Sequence, residues 1–202
     1  MPGWRLRSLW RARDLFARRG VYPEALEATL RTQIELGWGR LDMAAAALAY
    51  RAETARELDA LGAEVEAWKP IPGQRLAGER IGRRIQILAR RLYPAQMGEL
   101  DVKPPQAPVL AGAVAKRLGL DERSFLLFYA QSNLQAGLAA ATRSMSLSPE
   151  RAHEILVSLQ PRLAEQVEAV RGDPTASLWA ATPALDARAH QQHFLHTRLF
   201  QS

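Results

Sequence analysis

Residues 121–143 read DERSFLLFYAQSNLQAGLAAATR, and this stretch decides the fold class. Asp121 stands where a helix N-cap is expected, and the apolar positions Phe125, Leu126, Tyr129, Leu134, Gly137, Leu138 and Ala141 recur at helical spacing over more than one stripe. A helix apolar over that much of its circumference is expected to be central and largely buried. The surrounding composition agrees. The chain of 202 residues carries 35 Ala and 29 Leu against 8 Val, 6 Ile and 7 Thr, a balance that favours helix over strand. The expectation is an all-α, single-domain bundle of roughly seven to eight helices spanning 1–202.

Working outward, Ser148-Pro149-Glu150 is a cap followed by proline in a first turn. It opens a helix with Ile155, Leu156, Leu159, Leu163, Val167 and Val170 inward and Pro161 on the outer face, where a kink is expected. Gly172-Asp173-Pro174 breaks the chain, and Thr182-Pro183 starts a last helix or tail over 183–202. Upstream, a short helix is expected over roughly 108–118. A longer one over 75–92 carries Ile81, Ile85, Leu88 and Leu92 as an inward stripe, with Arg80, Arg83, Arg84, Arg90 and Arg91 on the other side. Gly78 and Gly82 on that helix suit a close helix approach. Residues 95–105 read as a loop. Asp42 is placed as the cap of one helix running through Ala44–Ala47, Tyr50, Leu58 and Leu61 to Pro70-Ile71-Pro72-Gly73. Pro23 opens a helix that ends near Gly37-Trp38-Gly39. The first 20 residues, with six arginines and one acid, read as a basic helix rather than a targeting segment.

Composition excludes several function classes. No cysteine means no disulfide framework, thiolate zinc site or cysteine nucleophile. No apolar run approaches the ~18 residues a membrane-spanning helix needs. There is no Gly-x-Ser-x-Gly elbow, no Gly-rich phosphate loop ending in Gly-Lys-Ser/Thr and no His-Glu-x-x-His, so no catalytic constellation is legible and a non-enzyme is expected. The net charge of +6 is almost all arginine, 24 Arg against 3 Lys. Guanidinium suits carboxylate and phosphate partners, and Trp4, Trp10 and Trp38 among basic helices leave a nucleic-acid-binding regulator as the alternative reading. His190, His193 and His196 fan across about 120° of one helical face and are the metal candidates, for an ion such as Ni²⁺ or Zn²⁺, although carboxylate partners are scarce.

The C-terminus is the most specific segment. Thr197-Arg198-Leu199-Phe200-Gln201-Ser202 resembles the Arg-Leu-Phe-Arg-Ser ending of the urease accessory protein F family. Thr182-Pro183 falls where that family has a small residue and proline before its last helix. Arg75-x-x-Gly78-x-x-x-Gly82 resembles its Arg-x-x-Ser-x-x-x-Gly stretch, and Pro108-Val109-Leu110-Ala111-Gly112 its Pro-Val-Val-Phe-Gly segment. The helix at 122–142, followed by Arg143, resembles its central helix, and the likeness covers about 40–202. Gln192-His193 replaces the family's His-Glu pair, Ser146-Leu147-Ser148-Pro149 its Pro-Leu-Gly-Gln loop, and the family's opening segment is not recognisable. The chain reads as a diverged or N-terminally shortened member.

That resemblance implies an all-helical, cytoplasmic, non-catalytic scaffold, often a homodimer. Such a scaffold binds accessory protein D (H in some organisms) and recruits the accessory GTPase G. The assembly loads nickel into apo-urease, and the scaffold itself holds no stable cofactor. Arg198, Leu199, Phe200 and Ser202, which match the family ending, are the expected partner-binding residues. An aromatic anchor beside a guanidinium is a common hot-spot pair, and a terminus frays unless something holds it.

Overall fold

The computed structural model describes residues 23–144 and 147–191. They form α1 (Pro23–Leu36), α2 (Leu41–Arg51), α3 (Ala55–Trp68), α4 (Pro72–Leu92), the single turn α5 (Pro94–Met97), α6 (Ala107–Arg117), α7 (Glu122–Ser144), α8 (Pro149–Gly172) and α9 (Pro183–Gln191), with no strand among the described residues. The chain is all-α, as composition and periodicity predict. The expected basic helix over 1–20 lies outside the described residues.

The innermost helix is α2, not the α7 that the sequence puts at the centre. Met43, Ala44, Ala45, Ala46 and Ala47 are fully buried, and α2 packs most extensively against α6. The reason is backbone proximity. The Cα of Gly112 on α6 faces the Ala46 carbonyl and the Tyr50 amide so closely that a Cβ there would overlap them. Alanines on one side and glycine on the other bring the two helices closer than Leu or Ile would. Around this pair α1, α3, α7 and α8 complete one continuous core. On α7, Phe125, Leu126, Leu134 and Leu138 are buried while Phe128 is 74% exposed. Tyr50 fixes α7 to α2: its hydroxyl donates to the Leu120 carbonyl at 2.6 Å and its ring stacks on Phe125 with centroids 6.2 Å apart. On α8, Ile155, Leu159, Leu163, Val167 and Val170 point inward as the spacing predicts. Leu156 is half-buried against the core, and Pro161 is exposed in a helix that runs through it.

Four other expectations are corrected. The single helix predicted from Asp42 to Pro70 is two, broken after Arg51. Thr54 caps α3 with a capping box: its hydroxyl accepts from the Glu57 amide at 3.2 Å, and the Glu57 carboxylate accepts from the Thr54 amide at 3.0 Å. Those backbone bonds hold the Glu57 pKa below its ordinary value. Asp42 is no cap either, since it lies inside the first turn of α2 and its carboxylate pairs with Lys69 at 3.2 Å. The loop predicted over 95–105 contains most of the turn α5.

The fourth correction matters most. Helix α4 is turned relative to its hydropathy pattern. It buries Gly78, Gly82, Gln86 and Ala89 and exposes Ile81 (55%), Leu88 and Leu92 (63%). Gly82 admits the Pro105–Gln106 backbone that leads into α6 and Gly78 admits the Gln106 side chain, so the close approach expected of them is to this segment at the start of α6. Gln86 completes the lock: its amide donates to Asp101 at 2.8 Å and its oxygen accepts from the Val102 amide at 3.2 Å. A small-residue stripe that lets backbone approach backbone outcompetes a larger apolar stripe that would hold the helix off.

Substituting Gly112 with Val should therefore cost roughly 1–3 kcal/mol or more, because the added carbons meet main chain that cannot yield. Leu138→Ala should cost about 2–5 kcal/mol. Leu92→Ser should stay within about 0.5 kcal/mol despite removing a large apolar side chain, because that side chain is in water. Urea denaturation midpoints of the three variants check the ranking.

Candidate functional site

The segment that leads from α8 into α9 is well anchored. After α8, Asp173 caps a tight turn by accepting from the Ala176 amide at 2.9 Å, and Ser177 and Leu178 are buried. The Trp179 ring lies under the Arg40 guanidinium, 4.5 Å from ring centroid to carbon, and its indole N–H donates to the Ala176 carbonyl at 3.1 Å. The Ala181 amide then donates to the Leu36 carbonyl at 2.8 Å, which ties this segment to the last turn of α1. Thr182 is buried, and its carbonyl accepts from the Leu185 and Asp186 amides at 3.0 and 2.9 Å, so α9 begins at Thr182-Pro183 as the sequence predicts. His190 falls within α9 as a backbone position. His193, His196, Arg198, Leu199, Phe200 and Ser202 lie outside the described residues. Among the described residues no three His, Asp or Glu side chains gather as a metal site.

Beside the start of α9 opens a cavity of about 770 Å³ that sequence reasoning missed. Its apolar walls include Trp38, Leu41, Trp68, Ile81 and Ile85, so the outward turn of α4 supplies one side of it. Its polar groups come from several separate elements. Asp42 and Lys69 form the ion pair already described, and both side chains are largely shielded. Lys69 is further placed by Arg75, whose guanidinium donates to the Lys69 carbonyl at 2.7 Å. Tyr129 and Asn133 line the α7 side, where the Asn133 amide donates to the Tyr129 carbonyl at 2.9 Å. Burial pushes the Tyr129 hydroxyl well above its usual pKa, and the Asp42 carboxylate adds to that, with Asn133 opposing. Tyr129 is therefore a protonated hydrogen-bond donor at neutral pH and no base. The cavity can hold an apolar side chain or a small polar group. It presents no nucleophile paired with a base.

One of these features is written locally in the chain and the other is not. Thr182-Pro183 was legible because a cap and a first-turn proline are local signals. The cavity joins residues far apart in sequence, and the element that opens it, α4, is the one whose orientation hydropathy misreads.

Comparison with known proteins adds a family. The UreF family model matches residues 22–160. The urease accessory protein UreF of Mycobacterium sp. (strain JLS) is 30% identical over 139 residues, covering 69% of this chain and 64% of that protein, slightly under two thirds of its length. The protein of the same name from Mycobacterium bovis (strain BCG / Pasteur 1173P2) is 32% identical over 169 residues, covering 83% of this chain and 76% of the relative. That of Actinobacillus pleuropneumoniae is 27% identical over 188 residues, covering 88% and 83%. The matched region runs from the start of α1 into α8 and so includes the α2–α6 pair, α4 and most of the cavity wall. On these matches the chain belongs to the UreF family.

Proposed function

We propose that this chain is a non-catalytic scaffold in urease maturation. It binds accessory protein D or H, recruits the accessory GTPase G, and so positions nickel delivery to apo-urease in the cytoplasm. Nickel is cargo of the assembly and not a resident cofactor of this chain. The observation that carries the reading is the family match across residues 22–160, with relatives named as urease accessory proteins. The family-like ending adds to it. Arg198, Leu199, Phe200 and Ser202 follow a last helix whose start is held at Thr182 and Ala181. A partner gripping that tail therefore bears on the folded domain. Among the described residues no helix is long and apolar enough to cross a membrane, which agrees with assembly in water.

The test is a truncation. Removing Leu195–Ser202 should leave the helical circular-dichroism spectrum unchanged and abolish binding to the accessory D/H protein in titration calorimetry. Urease activation in cells co-expressing the urease genes should fall with it. Unchanged affinity after truncation would take the tail out of the mechanism. Replacing His190, His193 and His196 together by Ala should affect activation much less than the truncation. If the triple change abolished activation while partner binding survived, those histidines would have to carry nickel.

A further inference from the structure

The outward face of α4 is built of two adjacent rows. At 100° per residue, Arg80, Arg84, Ile87 and Arg91 stand at i, i+4, i+7 and i+11 along the line farthest from the core. Ile81, Ile85, Leu88 and Leu92 repeat the same spacing one position on, which makes a parallel apolar row beside the arginines. Arg83 and Leu76 flank the opposite side. The row runs about three turns along α4 and leads into the cavity, whose lining includes Ile81, Ile85 and the exposed Trp68.

The charges on this face are unspent. Most arginines elsewhere in the described chain are tied to acids or carbonyls, such as Arg51 to Glu122 at 2.7 Å and Arg123 to Glu168 at 2.6 Å. Arg80, Arg83, Arg84 and Arg91 are exposed and make no ion pair or side-chain hydrogen bond among the described residues. A row of free guanidinium groups beside a row of exposed Ile and Leu is a helix surface without its complement.

We infer that this face docks an amphipathic helix from another protein, one with an apolar stripe flanked by Asp and Glu. Charge selects the occupant. A second copy packed through its own α4 about a twofold axis would set the arginine row against itself, which is strongly unfavourable. A nucleic acid would satisfy the arginines but leave the apolar row in contact with phosphate and water. An acidic amphipathic helix satisfies both rows, with its apolar residues on the apolar row and its carboxylates along Arg80, Arg84 and Arg91. This surface is separate from the tail and goes beyond the scaffold reading, since it follows from α4 and the cavity edge beside it.

The test uses the full chain and fluorescein-labelled helical peptides of about 20 residues. One carries Leu at helical spacing with Glu along one flank, a second replaces those Glu by Lys, and a third is a scramble of the first. A labelled single-stranded DNA of the same length is the fourth probe. In fluorescence anisotropy the acidic peptide should bind about tenfold or more tighter than the Lys peptide and the scramble, and weaken as salt is raised. The triple variant Arg80→Glu, Arg84→Glu, Arg91→Glu should lose it and gain the Lys peptide. Leu88→Ser with Leu92→Ser should lose the acidic peptide without gaining the other. All these positions are exposed, and circular dichroism verifies that both variants remain folded. The inference is overturned if the acidic peptide fails to bind, if either variant binds it as well as the native chain does, or if the scramble binds equally. DNA binding that is lost with the arginines and indifferent to the leucines would assign the face to nucleic acid. A native dimer dissociated by Leu88→Ser with Leu92→Ser would assign it to a second copy.

Discussion

The contact on which the molecule depends is the near touching of two backbones, α2 at Ala46 and α6 at Gly112. Alanine and glycine lose little or no side-chain freedom on burial, so this contact is made at low side-chain entropy cost, and its attraction comes from many close atom pairs. The larger side chains are kept for the periphery. Leu26, Leu30 and Ile34 of α1, Leu58, Leu61 and Val65 of α3, and the inward faces of α7 and α8 wrap the thin α2–α6 axis. Runs of alanine alone specify register poorly. Met43 within α2, Gly112 opposite and the Tyr50 bond to Leu120 mark the places where only one register fits.

Where the sequence was legible, the signal was local. Ser148-Pro149 and Thr182-Pro183 announce helix starts because a cap acts within three residues, and the spacing from Ile155 to Val170 reads directly as a buried face. The Thr54-x-x-Glu57 box was equally local, yet it was overlooked because Ala44–Ala47 and Leu58–Leu61 read as one continuous helix. Helix α4 failed for a deeper reason. Hydropathy ranks Ile81 and Leu92 above Gly78 and Gly82, while packing rewards whatever lets the neighbouring chain approach. The neighbour here is the Pro105–Gln106 backbone, which no periodicity rule sees. The cavity inherits that blindness, whereas the tail residues Arg198 to Ser202 are proposed from their likeness to a family ending and lie outside the described residues.

The arginines divide by task. Arg51 holds three helices together: it pairs with Glu122 and donates to the Arg171 carbonyl at 2.8 Å, while Arg171 and Arg123 share Glu168 and hold its carboxyl below the ordinary carboxylate pKa. Arg117 donates to the Met97 carbonyl and thereby closes the end of α5. These groups account for part of the basic composition as internal fastening. A group of free arginines gathers on α4 and six more arginines stand in the first 20 residues, so the basic charge is concentrated in two stretches of the chain.

The bond from the Ala181 amide to the Leu36 carbonyl has a geometric consequence. It pins the root of the last helix beside the cavity rather than letting it swing from the end of α8. A partner that touched both the start of α9 and the cavity would meet them at a fixed separation. Under such tethering a second, individually weak contact there behaves as an intramolecular one, with an effective concentration that can reach the millimolar range for a short connection. Two modest surfaces on one rigid mount can then grip together far more firmly than either alone. Releasing the mount would weaken both without touching a single contact residue.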